Sequence, residues 1–262
     1  MSANQVEYVV YEVEQHVAHI ILQRPPVNAF SLEFLDDILQ ALAQARHDDN
    51  VRAVVIRSRI PGMFCAGLDL DILLGQPMEQ IRRFLEKLYI ELWDAQYQLG
   101  KPSIASINGA ARGGGMTLAI SCDMIVASDE ASFGYPELDL AVPPAIHFLH
   151  LPRIVGRYRA FDLLFTGRTF SSAEALDIGL IAEVTDHDQL EQRTLDIAYG
   201  FAQRAPKAMK QARQAFHRVN DFDYRRGVAV AVEDFCNMAV LDEAQEGIAA
   251  FTEKRKPRWQ TS

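Results

Sequence analysis

Three consecutive glycines, Gly113 to Gly115, constrain this 262-residue chain more than any other feature. They follow a short apolar run, Ser103 to Ile107, and precede a second one that is typical of a helix. Glycine allows positive φ and close approach between main-chain segments. The first N–H groups of a helix lack intrahelical acceptors and lie at the positive end of its dipole. The segment therefore predicts a strand–turn–helix corner that can hold an anion or a developing oxyanion.

Two known phosphate loops do not fit this corner. No Gly-Lys-Ser/Thr follows the glycines, and their spacing differs from G-x-G-x-x-G. The alternative interpretation is structural, because glycines also permit tight packing of a helix on a strand. The triplet alone leaves both interpretations open.

A second glycine break favours the anion-binding interpretation over the packing one. The segment Phe64 to Leu70, FCAGLDL, is an apolar strand interrupted at Gly67. If the two breaks meet in space, each contributes one main-chain donor, and the pair forms an oxyanion hole. Asp69 has a simpler interpretation, because aspartate is a common helix cap.

Composition excludes several classes of function. The formal net charge of −9 argues against general nucleic-acid binding, and we expect no nucleic-acid partner. The three cysteines, Cys65, Cys122 and Cys236, indicate reduced, packed thiols, and the histidines show no zinc-type spacing. The N-terminal segment lacks a signal-like apolar core, and no apolar run approaches the ~20 residues of a membrane helix. We therefore expect a cytoplasmic protein with no membrane partner and no metal.

Strand-like and helix-like patterns alternate along the first part of the chain, which predicts an α/β layered core. Ser31 is placed to cap a first helix, and Ser171 with Glu174 forms a capping box before another. The predicted strands are Val6 to Val13 and His16 to Leu22, paired as a hairpin, then 51–57, 62–70, 103–107, 124–127 and 131–133. Helical patterns cover 187–204, 206–219, 222–240 and 242–255. We expect a core over residues 1–200 and a helical C-terminal region over 201–262.

These motifs together resemble the crotonase (enoyl-CoA hydratase/isomerase) superfamily. The resemblance rests on FCAGLDL, on KPSIASINGAARGGGMTLAISCDMIVAS, on ASFGYPELDLAVPP and on two later segments, LLFTGRTFSSAEALDIGLI and AFTEKRKPRW. It implies a spiral of ββα units whose helical C-terminal region packs into a homotrimer or a dimer of trimers. It also implies an acyl-CoA substrate, no cofactor beyond the substrate's own coenzyme A, and an oxyanion hole formed by the N–H groups of Leu68 and Gly114.

The chain departs from the hydratases of that family at one position. Hydratases carry a glutamate two residues after the triplet and another twenty residues later, whereas this chain has Thr117 and Glu137. Enoyl-CoA delta isomerases, which this chain resembles more closely, use a single glutamate at the position of Glu137. The resemblance therefore implies an isomerase that converts a 3-enoyl-CoA to a 2-enoyl-CoA. The alternatives are a hydratase, another crotonase-type lyase or hydrolase, and a non-catalytic acyl-CoA-binding scaffold.

The resemblance assigns further residues to the substrate, and each has a simpler interpretation. Glu137 could form a surface ion pair, Thr117 could bond its own helix, and Cys65 is expected to pack. His147 and His150 are expected in the core or lining a pocket rather than on a metal. The residues assigned to coenzyme A or substrate are Arg24, Ala66, Leu68, Asp69, Leu70, Asp71, Gly113, Gly114, Thr117, Phe251 and Lys254. Those expected to shape the acyl pocket are Pro144, His147 and Phe148.

Overall fold

The computed structural model describes residues 8–220 and 224–260 of the chain. Its strands are β1 (Val9–Glu14), β2 (Val17–Leu22), β3 (Ala53–Ser58), β4 (Met63–Cys65), β5 (Ser103–Ile107), β6 (Ala110–Arg112), β7 (Met124–Ser128), β8 (Ser132–Gly134), β9 (Phe170–Ser171) and β10 (Glu183–Thr185).

Helices occupy most of the remainder. They are α1 (Leu32–His47), α2 (Met78–Leu85), α3 (Leu92–Gln98), α4 (Gly114–Ser121), α5 (His147–Val155), α6 (Arg157–Thr166), α7 (Ser172–Asp177), α8 (Leu190–Ala202), α9 (Pro206–Asn220), α10 (Tyr224–Ala239) and α11 (Asp242–Thr252). A π-helical turn, Glu86–Glu91, joins α2 to α3, and a 3₁₀ turn, Pro136–Leu140, follows β8. The α/β class predicted from the sequence is confirmed.

The larger sheet has the strand order β1-β2-β3-β5-β7-β10. Strands β1 and β2 form the predicted antiparallel hairpin, and the other neighbours are parallel. The central strands are buried along almost their whole length, as expected for a sheet covered on both faces. The main core lies on one face, and α8 covers the other with Leu190, Ala198 and Ala202.

The smaller sheet, with the order β4-β6-β8-β9, positions the two glycine breaks. Strands β4 and β6 run parallel, and Gly67 and Gly113 follow their respective carboxyl ends. Strand β8 lies on the other side of β6 and leads directly into the 3₁₀ turn that carries Glu137. Because parallel strands end at the same edge of a sheet, three distant parts of the sequence meet there.

The C-terminal helices differ in how they pack. Helix α10 contributes Val228, Val232 and Phe235 to the main core, whereas α9 leaves Phe216 and Val219 largely exposed. The expected boundary at residue 200 falls inside α8, which packs against the large sheet. Among the residues that the structure describes, no helix is both long enough and apolar enough to cross a bilayer.

Most element predictions agree with the structure to within a few residues, and two differ. The predicted strand 62–70 is shorter, since β4 ends at Cys65 and the chain then turns through Gly67. The spacing of Ile81, Phe84, Leu85, Leu88 and Leu92 predicts one amphipathic helix that ends near Gly100, and the structure divides it by the π-helical turn. Residues 6 and 7 of the predicted first strand, and 222–223 of the predicted α10, lie outside the described residues.

Candidate active site

The two glycine breaks lie against each other. Gly67 has φ +98°, and a Cβ built on it would lie 2.9 Å from the Arg112 carbonyl oxygen and 3.2 Å from the Gly114 nitrogen. The first of those distances is shorter than real Cβ contacts, so a side chain at this position would force the two main chains apart. The glycine triplet and the FCAGLDL segment therefore form one structural unit, as the oxyanion-hole hypothesis requires.

The N–H groups of Leu68 and Gly114 are available to a ligand. Phe30 pairs with the residues on either side of Leu68, because its N–H donates to Gly67 O at 2.7 Å and its oxygen accepts from Asp69 N at 3.0 Å. Gly114 is the first residue of α4, where helical N–H groups have no intrahelical acceptor. Across residues 8–220 and 224–260, neither of these two N–H groups donates a hydrogen bond to the protein.

Gly113 brings the catalytic candidate Glu137 to these donors. Its φ is +47°, and a Cβ on it would lie 3.2 Å from Glu137 Oε1 and 3.5 Å from the carboxyl carbon. The Gly113 N–H donates to the Gly134 oxygen at 3.1 Å, which joins the triplet to the end of β8. A carboxylate is thus held one residue away from the Gly114 donor.

The environment of Glu137 makes its carboxyl group a suitable proton acceptor. Only 12% of its side-chain surface is exposed, and Oε2 has no hydrogen-bond partner among the described residues. Burial, assisted by the negative charge of Asp139, raises the pKa of Glu137 to about 7. The alternative interpretation of Glu137, a surface ion pair, is therefore not what the structure shows. A general base is most effective when its pKa lies near the working pH.

Helix α11 supports the turn that carries Glu137. A Cβ on Gly247 would lie 2.7 Å from the Leu140 oxygen, so only glycine allows the helix to approach the 3₁₀ turn this closely. Within the turn, the Val142 N–H donates to the main-chain oxygen of Glu137 at 3.1 Å. The C-terminal region thus helps to place the carboxylate as well as extending the fold.

Thr117 lies on the first turn of α4 and is buried. Its Oγ1 has no hydrogen-bond partner among the described residues, so of the two interpretations left open, the bond back to its own helix is not formed. Ser121 on the same helix does form such a bond, with Oγ donating to Leu118 O at 2.7 Å. An unpartnered buried hydroxyl is costly, which favours a contact with substrate or water at Thr117.

His147 and His150 form a buried pair beside the carboxylate. His147 Nε2 lies 3.2 Å from Gly113 O and 3.6 Å from Glu137 Oε1, and its Nδ1 lies 3.1 Å from His150 Nε2. The third pocket candidate, Pro144, is buried and accepts the His147 N–H at 2.9 Å. Sequence analysis expected buried histidines but not their contact with the glycine triplet, which depends on the fold.

The residues assigned to coenzyme A on the Leu68 side partly bind one another. Arg24 Nη2 donates to Asp69 Oδ2 at 2.8 Å, and Asp69 also accepts from the Asp71 N–H, which is the capping role anticipated for it. Ala66 donates its N–H to the Val27 oxygen at 3.0 Å, and Leu70 begins a 3₁₀ turn after Asp69. Contact of these residues with coenzyme A stays a prediction.

Three other predicted residues lie at the surface. Phe148 is 38% exposed and stacks on Phe165, with ring centroids 5.9 Å apart. Phe251, at the end of α11, is 66% exposed, and Lys254 follows it in an exposed turn with φ +54°. These positions leave their side chains open to a ligand or another chain, and their roles stay predictions.

Two other kinds of chemistry find no support in the described residues. Cys65 is buried, and burial raises the pKa of its thiol to about 12, so it packs as predicted and is unsuited to act as a nucleophile. Within the described ranges, no group of three His, Cys, Asp or Glu side chains is arranged to hold a metal ion.

A large cleft of about 810 Å³ lies elsewhere, beside α9. Its basic lining residues are Arg46, Arg52, Lys101, Arg204, Lys207, Lys210 and Arg218. None of the predicted site residues lines it. Its single carboxylate, Asp49, is exposed. Glu137 is therefore the stronger candidate for the chemistry, because its carboxyl group is desolvated and lies near N–H groups that have no acceptor among the described residues.

Comparison with known proteins gives a consistent result. Residues 12–262 match the family model described as Enoyl-CoA hydratase/isomerase. The chain is 33% identical to the probable mitochondrial enoyl-CoA hydratase 2 of Arabidopsis thaliana, over 92% of this chain and 80% of that protein. It is 34% identical to the mitochondrial methylglutaconyl-CoA hydratase of Mus musculus, over 88% and 75% respectively. The crystal structure of an enoyl-CoA hydratase from Bacillus anthracis superposes with a TM-score of 0.78 at 33% identity, covering 95% of this chain and 98% of that one.

Proposed function

The chain belongs to the enoyl-CoA hydratase/isomerase family, and from that premise we propose that it shifts the double bond of a 3-enoyl-CoA to the conjugated 2-enoyl position. One observation carries the proposal: the desolvated carboxyl group of Glu137 lies against Gly113, next to the free N–H of Gly114. A 1,3-proton shift needs one group that can accept and return a proton, together with donors that stabilise the enolate.

The reaction uses the two N–H donors and the carboxylate together. The thioester oxygen binds between the N–H groups of Leu68 and Gly114. Glu137 removes a proton from C2, and the electron pair of that C–H bond moves toward the carbonyl, which becomes an enolate oxygen. The enolate then collapses, the double bond forms between C2 and C3, and Glu137 returns its proton to C4. Loss of one donor from such a hole costs about 10²- to 10³-fold in a well-studied protease.

Thr117 supports the isomerase over the hydratase. Hydration needs a water to be activated and a proton to be delivered to the neighbouring carbon, which suits two acid/base groups. A threonine hydroxyl can form hydrogen bonds but is too weak an acid to replace a carboxyl group at neutral pH. Glu137 then acts alone, which is sufficient for moving one proton along the acyl chain.

A hydratase is the second candidate, and a specific observation favours it. Thr117 Oγ1 and Glu137 Oε2 are both buried without a partner among the described residues, so each has bonding capacity for a water. Relatives named as hydratases are consistent with that activity. The two candidates share the oxyanion hole and the base, and differ in whether water reaches C3.

The proposal needs no cofactor other than the coenzyme A of the substrate. We propose that Arg24, Ala66 and the segment from Leu68 to Asp71 line the path of that group, with Phe251 and Lys254 closing it. We also propose that the protein is cytoplasmic and assembles as a homotrimer or a dimer of trimers. The exposed apolar side chains of the C-terminal helices, Phe216 and Val219 among them, support the assembly.

Product analysis distinguishes the candidates. Pure protein is incubated separately with 3-enoyl-CoA and 2-enoyl-CoA panels, and products are followed by absorbance of the conjugated thioester and by mass. Isomerisation raises that absorbance from 3-enoyl-CoA at constant mass. Hydration lowers it from 2-enoyl-CoA with the gain of one water. If neither panel reacts while both bind, the enzyme catalyses another reaction of the family.

A further inference from the structure

One nitrogen of His147 lies between the two halves of the catalytic machinery. Nε2 is 3.2 Å from Gly113 O and 3.6 Å from Glu137 Oε1, and the ring is 1% exposed. A carbonyl and a carboxylate both accept hydrogen bonds, so the hydrogen of the neutral imidazole is assigned to Nε2 on the basis of these neighbours. The Gly113 oxygen lies within hydrogen-bond distance of Nε2, and the Glu137 carboxylate lies just beyond that distance.

The contact with His150 is compatible with this tautomer. With its hydrogen on Nε2, His147 has a lone pair on Nδ1, which accepts from His150 Nε2 at 3.1 Å. Nδ1 of His150 has no hydrogen-bond partner among the described residues. Burial lowers the pKa of His147 to about 3 and that of His150 well below its ordinary value, so both rings are neutral at pH 7.

The Gly113 carbonyl and the Gly114 N–H belong to the same peptide group. A hydrogen bond to the carbonyl fixes the plane of that group and polarises its N–H, which strengthens the donor. The carbonyl already accepts from Met116 N at 2.9 Å and from Thr117 N at 3.2 Å, as the first turn of α4 requires. His147 adds a third donor, and its Nε2 also lies 3.6 Å from Oε1 of the proposed base, Glu137.

We propose that His147 is a positioning residue that couples the protonation of Glu137 to the strength of the Gly114 donor. When Glu137 is ionised, its carboxylate competes with Gly113 O for the Nε2 hydrogen. When Glu137 accepts the C2 proton, it becomes a weaker acceptor and the hydrogen turns to Gly113 O. The Gly114 N–H then strengthens at the moment the thioester oxygen becomes anionic. No proton leaves His147 in this step.

Of Asp139, Tyr135 and His147 near Glu137, the imidazole ring of His147 is the group that can carry this coupling. Burial raises the pKa of Glu137, and the negative charge of Asp139 adds to that rise. Tyr135 is neutral, because burial raises the pKa of its phenol far above physiological pH, and its ring meets His147 edge-on with centroids 4.5 Å apart. Of these neighbours, His147 is the group that contacts both the carboxylate and the oxyanion-hole peptide.

The inference rests on the proposed oxyanion hole and has a test that does not require turnover. Butanoyl-CoA labelled with ¹³C at the thioester carbonyl is bound to the protein, and the carbonyl stretch is followed by infrared difference spectroscopy between about pH 5 and about pH 9. These limits bracket the pKa of about 7 of Glu137. In the wild type, the stretch falls as Glu137 gains its proton. In His147→Phe, the pH-dependent part of that shift is at least halved.

Kinetics provide a second readout. His147→Phe lowers kcat by about 10- to 100-fold with KM within about 3-fold, the range seen when a buried supporting hydrogen bond is removed elsewhere. His147→Gln keeps an N–H donor and recovers most of the loss. His47→Phe, an exposed histidine far from the site in the fold, is the matched control and behaves as the wild type.

The outcomes distinguish a failure of the proposed coupling from a failure of the oxyanion hole. A wild-type pH shift retained in full by His147→Phe overturns the coupling. If His147→Phe fails to fold, His147→Gln decides, because it should retain the pH shift. If the carbonyl stretch does not fall when butanoyl-CoA binds to the wild type, the oxyanion hole itself is contradicted, and the proposed function fails with it.

Discussion

The corner formed by Gly67, the segment from Gly113 to Thr117 and Glu137 differs from the C-terminal helices in which side-chain atoms are buried and which are exposed. The corner buries two polar atoms, Thr117 Oγ1 and Glu137 Oε2, that have no hydrogen-bond partner in the part of the chain that the structure describes. Helix α9 and its neighbours expose apolar side chains: Phe216 is 67% exposed, Val219 79% and Phe251 66%. Buried polar groups normally find hydrogen bonds, and large apolar patches normally find cover.

The difference indicates two kinds of missing partner. At the corner, the unused atoms are hydrogen-bond donors and acceptors, which fits the polar head of a thioester. On the C-terminal helices, individual large apolar side chains are exposed, which fits contact with another protein chain. We therefore propose that the first region carries the chemistry and the second the assembly, and each proposal can be tested separately.

The largest expected effect is on catalysis at Glu137. Glu137→Gln keeps the shape of the side chain but removes the proton acceptor, so the isomerisation rate falls by about 10³-fold or more, while acyl-CoA binding is retained. The rate is measured as growth of conjugated-thioester absorbance, and binding as displacement of a labelled acyl-CoA. Glu79→Gln, at an exposed position on α2, serves as the matched control. A Glu137→Gln enzyme that keeps most of its rate would remove this residue from the mechanism.

The second effect is on stability as a function of pH. The pKa of Glu137 rises from its ordinary 4.5 to about 7 on folding, so burial disfavours the ionised form. The stability of the wild type relative to Glu137→Gln should therefore fall as pH rises from 4.5 to about 7, by about 3 kcal/mol in total, and then stay constant. Urea unfolding at several pH values measures it. A difference independent of pH would contradict the desolvated carboxyl group.

The third effect is on assembly. Phe216→Glu places a charge on the exposed face of α9 and should weaken subunit association by about 10-fold or more, measured by sedimentation over a range of concentrations. Tyr158→Glu, at an 89% exposed position on α6, tests whether the exposed surface of α6 forms the interface instead. If Tyr158→Glu dissociates the assembly and Phe216→Glu does not, the interface belongs to α6 instead of the C-terminal helices.

The smallest effect is at Thr117. Thr117→Val keeps the volume and removes a buried hydroxyl that lacks a partner, so the free energy of unfolding should stay level or rise by up to about 1 kcal/mol. Isomerisation by this variant should stay within about 3-fold of the wild type. A loss of water addition to 2-enoyl-CoA, with isomerisation unchanged, would instead show that Thr117 serves a hydratase activity.

Local signals in the sequence were sufficient for several features. Ser31 Oγ accepts from Phe34 N at 3.2 Å, and Ser171 Oγ accepts from Glu174 N at 3.2 Å, as capping predicts. The positive φ of Gly67 and Gly113 follows from breaks in apolar runs. Each of these depends on residues within a few positions of one another.

Other features depend on contacts that no local pattern reveals. Strand β6 has only three residues between two glycine turns, too few for a period of two to be visible. His147 lies in an ordinary apolar stretch, and its role depends on Gly113, thirty-four residues earlier. The raised pKa of Glu137 depends on burial beneath distant elements, so its residue type could be predicted from the resemblance but its environment could not.

The central claim is best tested by a crystal structure with bound butanoyl-CoA, which can be neither isomerised nor hydrated. We expect the thioester oxygen at about 3 Å from the nitrogens of both Leu68 and Gly114, with Glu137 facing C2 at a distance that permits proton transfer. A thioester oxygen bound elsewhere, or a Glu137 carboxyl group turned away from C2, would contradict the account.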